Sequence, residues 1–158
     1  MTGEATVAPA WPEELVELYA AQYVGYVQLA FLLVGSAALA DEIVQDAFVV
    51  ARGRWADIRT SPGGYVRQVV VNGARGRLRR MRTEDAYRLD PPPPDATADL
   101  IDLRDALRRL PPPQRTAIVL RYWAQLPDEE TATILDCRVG TVRSHISRGI
   151  AQLRKELS

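Results

Sequence analysis

The chain has 158 residues, 20 acidic and 20 basic side chains, and a hydrophobic fraction of 47%. That apolar content suits a packed core and excludes a disordered chain, and the length allows one ordinary domain or two small helical ones. A lone cysteine, Cys137, excludes an intrachain disulfide, and the apolar run from Leu29 to Ala40 is too short to span a bilayer. No basic segment precedes an apolar stretch as in a secretion signal, so a reduced, cytoplasmic protein without membrane insertion is expected.

The zero net charge conceals strong segregation. Met1 to Val50 carries seven acids and no Lys or Arg, and Ala51 to Arg82 carries nine arginines against Asp57. Thr83 to Asp102 holds six acids against Arg88, and Cys137 to Ser158 holds five bases against Glu156. Two basic blocks separated by an acidic one point to two polyanion contacts, although either block alone would also suit a solvated helix face.

In chain order, Leu15, Leu18, Tyr19, Tyr26, Leu29 and Leu33 recur at helical spacing and predict a helix from Glu13 to Val34, stopped at Gly35. Ser36 is placed to cap a second helix reaching about Trp55, with Leu39, Ile43, Ala47 and Val50 on one face. Ser61-Pro62 pairs a cap with a proline at the first helical position and opens a third helix to about Arg82, packed through Val66, Val70, Ala74 and Leu78. The four prolines from Pro91 to Pro94 cannot donate backbone hydrogen bonds, and with the acids around them they make 83–99 a solvated linker. Beyond it, helices are predicted over about Leu100–Leu110, Pro113–Trp123, Asp128–Asp136 and Thr141–Leu157. The expected fold is all-α, with domains at 13–82 and 100–158.

Residues 128–157 have the pattern of a helix-turn-helix. Asp128, Glu129 and Glu130 complement a helix N-terminus, and Ala132 is small enough for two crossing helices. Cys137 to Gly140 supplies a tight turn, and Thr141 can cap the final helix. Val142, Ile146, Ile150, Leu153 and Leu157 form an apolar stripe. Arg143, Ser144, Ser147 and Arg148 are left on another face near the N-terminal end, where a recognition helix meets base edges in the major groove.

These residues carry a resemblance. Leu120-Arg121-Tyr122-Trp123, Glu130-Thr131-Ala132, the string Val139-Gly140-Thr141-Val142-Arg143-Ser144-His145-Ile146-Ser147-Arg148 and Leu153-Arg154 resemble region 4 of extracytoplasmic-function sigma factors. The stretch from Ala40 to Phe48 resembles the family's region 2.2 helix. Tyr65 to Asn72, followed by Arg75, Arg77, Arg79 and Arg80, resembles the helix that opens and reads the downstream promoter element. Size and the style of the second helix resemble the SigE-like actinobacterial subgroup. The chain departs from the family at Gly73, Gly76, Pro127 and Arg138, which bears on promoter preference.

The resemblance implies core RNA polymerase, promoter DNA and an anti-sigma factor as partners, and no small-molecule substrate. Asp41, Glu42, Gln45 and Asp46 would meet the polymerase. Arg59, Gly63, Gly64, Arg67, Asn72, Arg75 and Arg79 would meet the downstream element, with the loop Arg59 to Gly64 helping to pocket an extruded base. Arg138, Thr141, Arg143, Ser144, His145, Ser147 and Arg148 would meet the upstream element. The acidic linker would thread the polymerase RNA path or act as a tether.

An operator-binding helix-turn-helix regulator would explain residues 100–158 and leave the arginine-rich third helix unexplained. An enzyme, a metal site or a cofactor is not expected: the single His145 has no cysteine or histidine cluster around it, and there is no P-loop or Ser-His-Asp set.

Overall fold

The computed structural model describes residues 10–59, 61–81 and 91–157. Seven α-helices run through them: α1 (Glu13–Val34), α2 (Ala37–Gly53), α3 (Pro62–Arg80), α4 (Ala98–Leu107), α5 (Pro112–Ile118), α6 (Asp128–Leu135) and α7 (Val139–Leu157). No strand occurs among the described residues.

Local chemistry sets the helix ends. Gly35 adopts φ 81°, open to a residue without Cβ, and its N–H donates to Phe31 O at 2.8 Å, which closes α1. Ser36 Oγ accepts from Leu39 N at 3.2 Å and starts α2, and Ser61 Oγ accepts from Gly64 N at 3.3 Å to start α3 behind Pro62. Thr97 Oγ1 accepts from Leu100 N at 3.1 Å, so α4 begins at Ala98, two residues before the predicted start. The second helix ends at Gly53, short of Trp55, which instead opens a single tight turn over Trp55–Asp57 and packs half-buried.

Helices α1, α2 and α3 pack into one bundle around Phe31, Leu32, Leu33, Phe48, Val66 and Val70. The buried face of α2 is Ala40, Ile43, Val44, Ala47, Phe48 and Ala51. Tyr19 and Val50, expected inside, are 40% and 42% exposed, because the face of α2 that meets α1 and α3 runs through Phe48 rather than Val50.

Helices α4 to α7 form a second, smaller unit. Its crowded point is Gly149 on α7, where a Cβ would lie 2.4 Å from Ile118 Cδ1. A larger residue there would force the Ile118 side chain to shift away from α7. At the end of α5 the hydrogen bonding widens, Ala124 N donating to Val119 O at 3.0 Å over residues 119–123. The widened turn leaves Tyr122 and Trp123 exposed.

The two units are joined by buried arginines that grip the end of α1. Arg115 Nη1 donates to Leu33 O at 2.7 Å while its Nε and Nη2 reach Leu107 O and Leu110 O at 3.0 and 3.1 Å. Arg104 Nη1 donates to Gly35 O at 3.3 Å, and its guanidinium lies 4.9 Å from the Phe31 ring centre. Burial, with the Arg108 charge adding to it, pulls the Arg115 guanidinium down to about 10, so it remains charged at neutral pH. Residues 91–97 run without helix, and residues 82–90, which include the first part of the predicted linker and the predicted end of the third helix at Arg82, lie outside the described residues.

Candidate nucleic-acid interface

The turn between α6 and α7 is made by Asp136, not by Gly140. Asp136 has φ 52° and ψ 52°, a left-handed conformation that Asp tolerates better than most residues, and Cys137 N donates to Ala132 O at 3.0 Å. Gly140 is already inside α7. Thr141 is likewise one turn in rather than at the cap: Arg138 holds that position, its carbonyl accepting from Thr141 N at 3.0 Å and Val142 N at 3.1 Å. Cys137 is half-buried against the core.

Helix α7 splits into two faces. Val142 and Ile146 are buried, while Ile150 and Leu153 are only half-buried because the smaller unit thins toward its end; the Leu157 side chain lies outside the described residues. Thr141, Arg143, Ser147 and Arg148 are exposed, and Ser144 and His145 half-buried. At 100° per residue, Arg143 and Ser147 are about 40° apart and Arg143 and Arg148 about 140° apart, so the two arginines bracket a polar arc. Arg143 Nε donates to Asp128 Oδ2 at 3.3 Å, an oxygen that also meets Arg121 Nη1 at 3.4 Å. Asp128, read from sequence only as a favourable helix start, therefore orients Arg143. The signal was available in the acid-rich first turn of α6, but only folding sets it beside α7.

On α3 the predicted residues divide differently. Gly63 and Gly64 belong to the first turn of α3 rather than to a preceding loop, and Gly63 O accepts from Tyr26 Oη at 2.9 Å. The close approach made at Gly63 is to Tyr26, whose hydroxyl burial holds above its ordinary pKa and hence protonated as a donor. Arg59 is exposed, and Thr60 beside it lies outside the described residues. Asn72 is exposed. Arg75 and Arg79 line a cleft that also contains His145, so the arginine helix and the recognition helix share one seam. Arg67 is half-buried and paired: its Nη2 lies 3.1 Å from Glu130 Oε1 of α6. Arg75, Arg79, Arg138 and Arg148 enter no ion pair among the described residues.

The acidic set on α2 is not one uniform face. Asp41 accepts from the Tyr23 hydroxyl of α1 and from Gln45 Nε2, the latter at 3.0 Å. Glu42 and Asp46 flank Arg77 of α3 at 2.9 and 3.9 Å, while remaining mostly exposed. Next to Gln45 lies a shallow groove lined by Trp11, Val16, Tyr19, Phe48 and Val49, in which Trp11, Val16, Tyr19 and Val49 keep much of their surface in solvent. Sequence reading missed this groove, because Tyr19 at helical spacing read as core. Among the described residues no cluster of histidine, cysteine and carboxylate side chains could hold a metal ion, and no helix is long and apolar enough to cross a membrane.

The sigma-70 region 4 family matches residues 100–153, the unit that contains α4 to α7. The chain is 37% identical over 126 residues to the RNA polymerase sigma-E factor of Streptomyces coelicolor, a match covering 75% of this chain and 71% of that one. It is 34% identical over 173 aligned positions to the extracytoplasmic-function sigma factor SigE of Mycolicibacterium smegmatis, covering 99% of this chain and 65% of that one. Its fold is similar to that of the sigma factor RpoE solved with the anti-sigma factor NepR from Bartonella quintana, with TM-score 0.75 at 22% identity over 92% of this chain and 98% of that one. Fold and motif thus define a helical promoter-recognition subunit of the sigma-70 type. The chain belongs to the extracytoplasmic-function RNA polymerase sigma factors.

Proposed function

We propose a division of labour in which residues 13–82 dock on core RNA polymerase and open the downstream promoter element while residues 100–158 bind the upstream element. The observation that supports it most is the polar arc of α7, where Arg143 is exposed, aimed by Asp128 and backed by the buried Val142 and Ile146. Arg143 and Ser147 take base edges, and Thr141, Arg138 and Arg148 take flanking phosphates, with Ser144 and His145 at the margin of the contact. On α3, Arg75 and Arg79 neutralise phosphates and Asn72 meets the opened strand, with Arg59 and the first turn at Gly63 and Gly64 nearby. Opening costs a few kcal/mol per extruded base, which these contacts must offset. The segment 83–99 is too acidic to bind nucleic acid and joins the two halves.

Asp41, Glu42, Gln45 and Asp46 meet the polymerase together with the groove of Trp11, Val16 and Tyr19, an apolar surface with a charged border as protein interfaces favour. An operator-binding regulator has no use for that groove. The chain is not an enzyme and acts through binding. An anti-sigma protein held between the two halves regulates it, in line with the similar fold solved with such a partner.

The test is transcription in vitro with purified core polymerase and a genomic promoter library. Initiation at a discrete set of sites that depends on this chain supports the reading. An Asp46→Arg chain with an unchanged circular dichroism spectrum should bind core polymerase more weakly. Equal affinity of that chain and the parent removes α2 from the polymerase surface.

A further inference from the structure

We infer that Arg77 is a positioning residue for polymerase docking: from α3 it gathers Glu42 and Asp46 of α2 into a single two-carboxylate site. This rests on the assignment of Glu42 and Asp46 to the polymerase surface.

Arg77 belongs by sequence to the arginine block of α3, yet it points away from its neighbours. At 100° per residue Arg75 and Arg79 are about 40° apart, and Arg77 is about 160° from each. Arg75 and Arg79 line the cleft that contains His145, whereas Arg77 meets α2. Its Nη2 donates to Glu42 Oε1 at 2.9 Å and lies 3.9 Å from Asp46 Oδ2. One nitrogen therefore serves two carboxylates.

Glu42 and Asp46 are four residues apart on α2, so they share a face and repel each other. No Lys or Arg occurs from Met1 to Val50, so their counterion has to come from outside that stretch. Neither acid meets a second cation among the described residues. The Arg77 side chain is 33% exposed, against 57% for Glu42 and 68% for Asp46. The cation thus sits on the bundle side and the carboxylates on the solvent side. Two acids with one cation leave the cluster a net negative charge, held in place and open to a basic group of the polymerase. A partner that meets carboxylates already gathered has less side-chain motion to freeze. Part-exposed ion pairs add little to stability, so Arg77 acts on docking rather than on the fold.

Charge and position pull in opposite directions here. Removing Arg77 makes the cluster more negative, which speeds encounter with a cationic surface. It also frees the carboxylates to move, which speeds departure. Loss of a residue that only masks charge would speed encounter and leave departure no faster.

The test follows the full chain on immobilised, purified core polymerase without DNA, reading association and dissociation separately at low and high salt. Arg77→Gln should associate about twofold faster at low salt and dissociate about fivefold faster at both. Arg77→Lys, which returns one cationic nitrogen to the gap, should restore most of the slow dissociation. A chain with Glu42→Gln and Asp46→Asn should bind more weakly, and adding Arg77→Gln to it should leave dissociation unchanged. If circular dichroism shows that Arg77→Gln does not fold, Arg77→Met, which keeps the packed stem, takes its place. Parental dissociation after loss of Arg77 overturns the inference and leaves the polymerase assignment standing. So does a failure of Lys to rescue, or an equal acceleration in the chain without the two acids. If the chain with Glu42→Gln and Asp46→Asn binds as tightly as the parent, the polymerase assignment falls and the inference with it.

Discussion

The bundle of α1 to α3 and the unit of α4 to α7 solve the same problem by different means. The first buries Phe31 and Phe48 with a wide aliphatic surround from all three helices. The second is smaller, has no aromatic residue in its buried core, and includes Arg104, Arg115, Thr116 and Thr131 among its buried residues. Arg115 ties four carbonyls near helix ends, three in its own unit and one in the neighbouring bundle. A helical unit too small for a generous apolar core can thus fix its helices by hydrogen-bonding a cation to the negative ends of their dipoles.

The largest expected effect tests the first half of that contrast. Phe48→Ala removes a ring buried against Tyr19 and Tyr26 and should cost about 3–5 kcal/mol, read as a lower denaturant midpoint for the whole chain. Next, Arg115→Met keeps most of the volume but leaves the carbonyls of Leu33, Leu107 and Leu110 without their donor. A loss of about 3 kcal/mol is expected, with hydrogen exchange accelerated in α4 and α5 before α2. If exchange rises first in α2, the two units do not differ in what holds them.

Smaller effects sharpen the functional side. Arg143→Ala should spare stability, weaken upstream-element binding by about 1–3 kcal/mol and relax preference at one base pair. Arg148→Ala should weaken binding to all sequences alike and lower the salt slope by about one unit. Binding isotherms at several salt concentrations separate them, and identical behaviour of both with the parent removes α7 as the reader.

The smallest effect concerns pH. Burial lowers the Arg115 pKa to about 10, well below that of an ordinary guanidinium, so the folded chain gives up that proton before the unfolded chain does. Stability from this group therefore rises with pH only across that window and is flat below it. Parent and Arg115→Met should show parallel stability curves between about pH 6 and about pH 9. Curves that diverge there would mean that Arg115 titrates far lower than its surroundings imply.

Much of the fold was legible because its signals are local. Gly35, Ser36 and Ser61-Pro62 set helix boundaries through their own backbones and side chains, and the structure places them where the sequence suggested. The exposed residues of the α7 arc followed from periodicity. What periodicity could not show is how residues far apart in sequence meet. Tyr19 has helical spacing yet edges an open groove, and Val50 is exposed as well, since burial depends on which neighbour covers a face. Arg67 pairs with Glu130, 63 residues away, a partner that nothing in its own helix reveals. Arg104 and Arg115 drew no notice, as an arginine in an amphipathic stretch ordinarily points to solvent. The turn was placed at Cys137 to Gly140, whereas Asp136 took the left-handed conformation and α7 begins at Val139.

The grip on α1 has a consequence for how this chain can change over time. Arg104 and Arg115 bind Gly35 O and Leu33 O, which are main-chain atoms. Any residue at position 33 that keeps α1 helical presents the same oxygen, so substitution there leaves the acceptor intact even where it disturbs packing. The attachment between the halves is therefore one-sided in its sequence demands. Drift on the α1 side is tolerated so long as the helix ends at Gly35, whereas each arginine is answerable for its own bond. Complementary double changes, the usual trace of an interface under selection, should be rare across this contact.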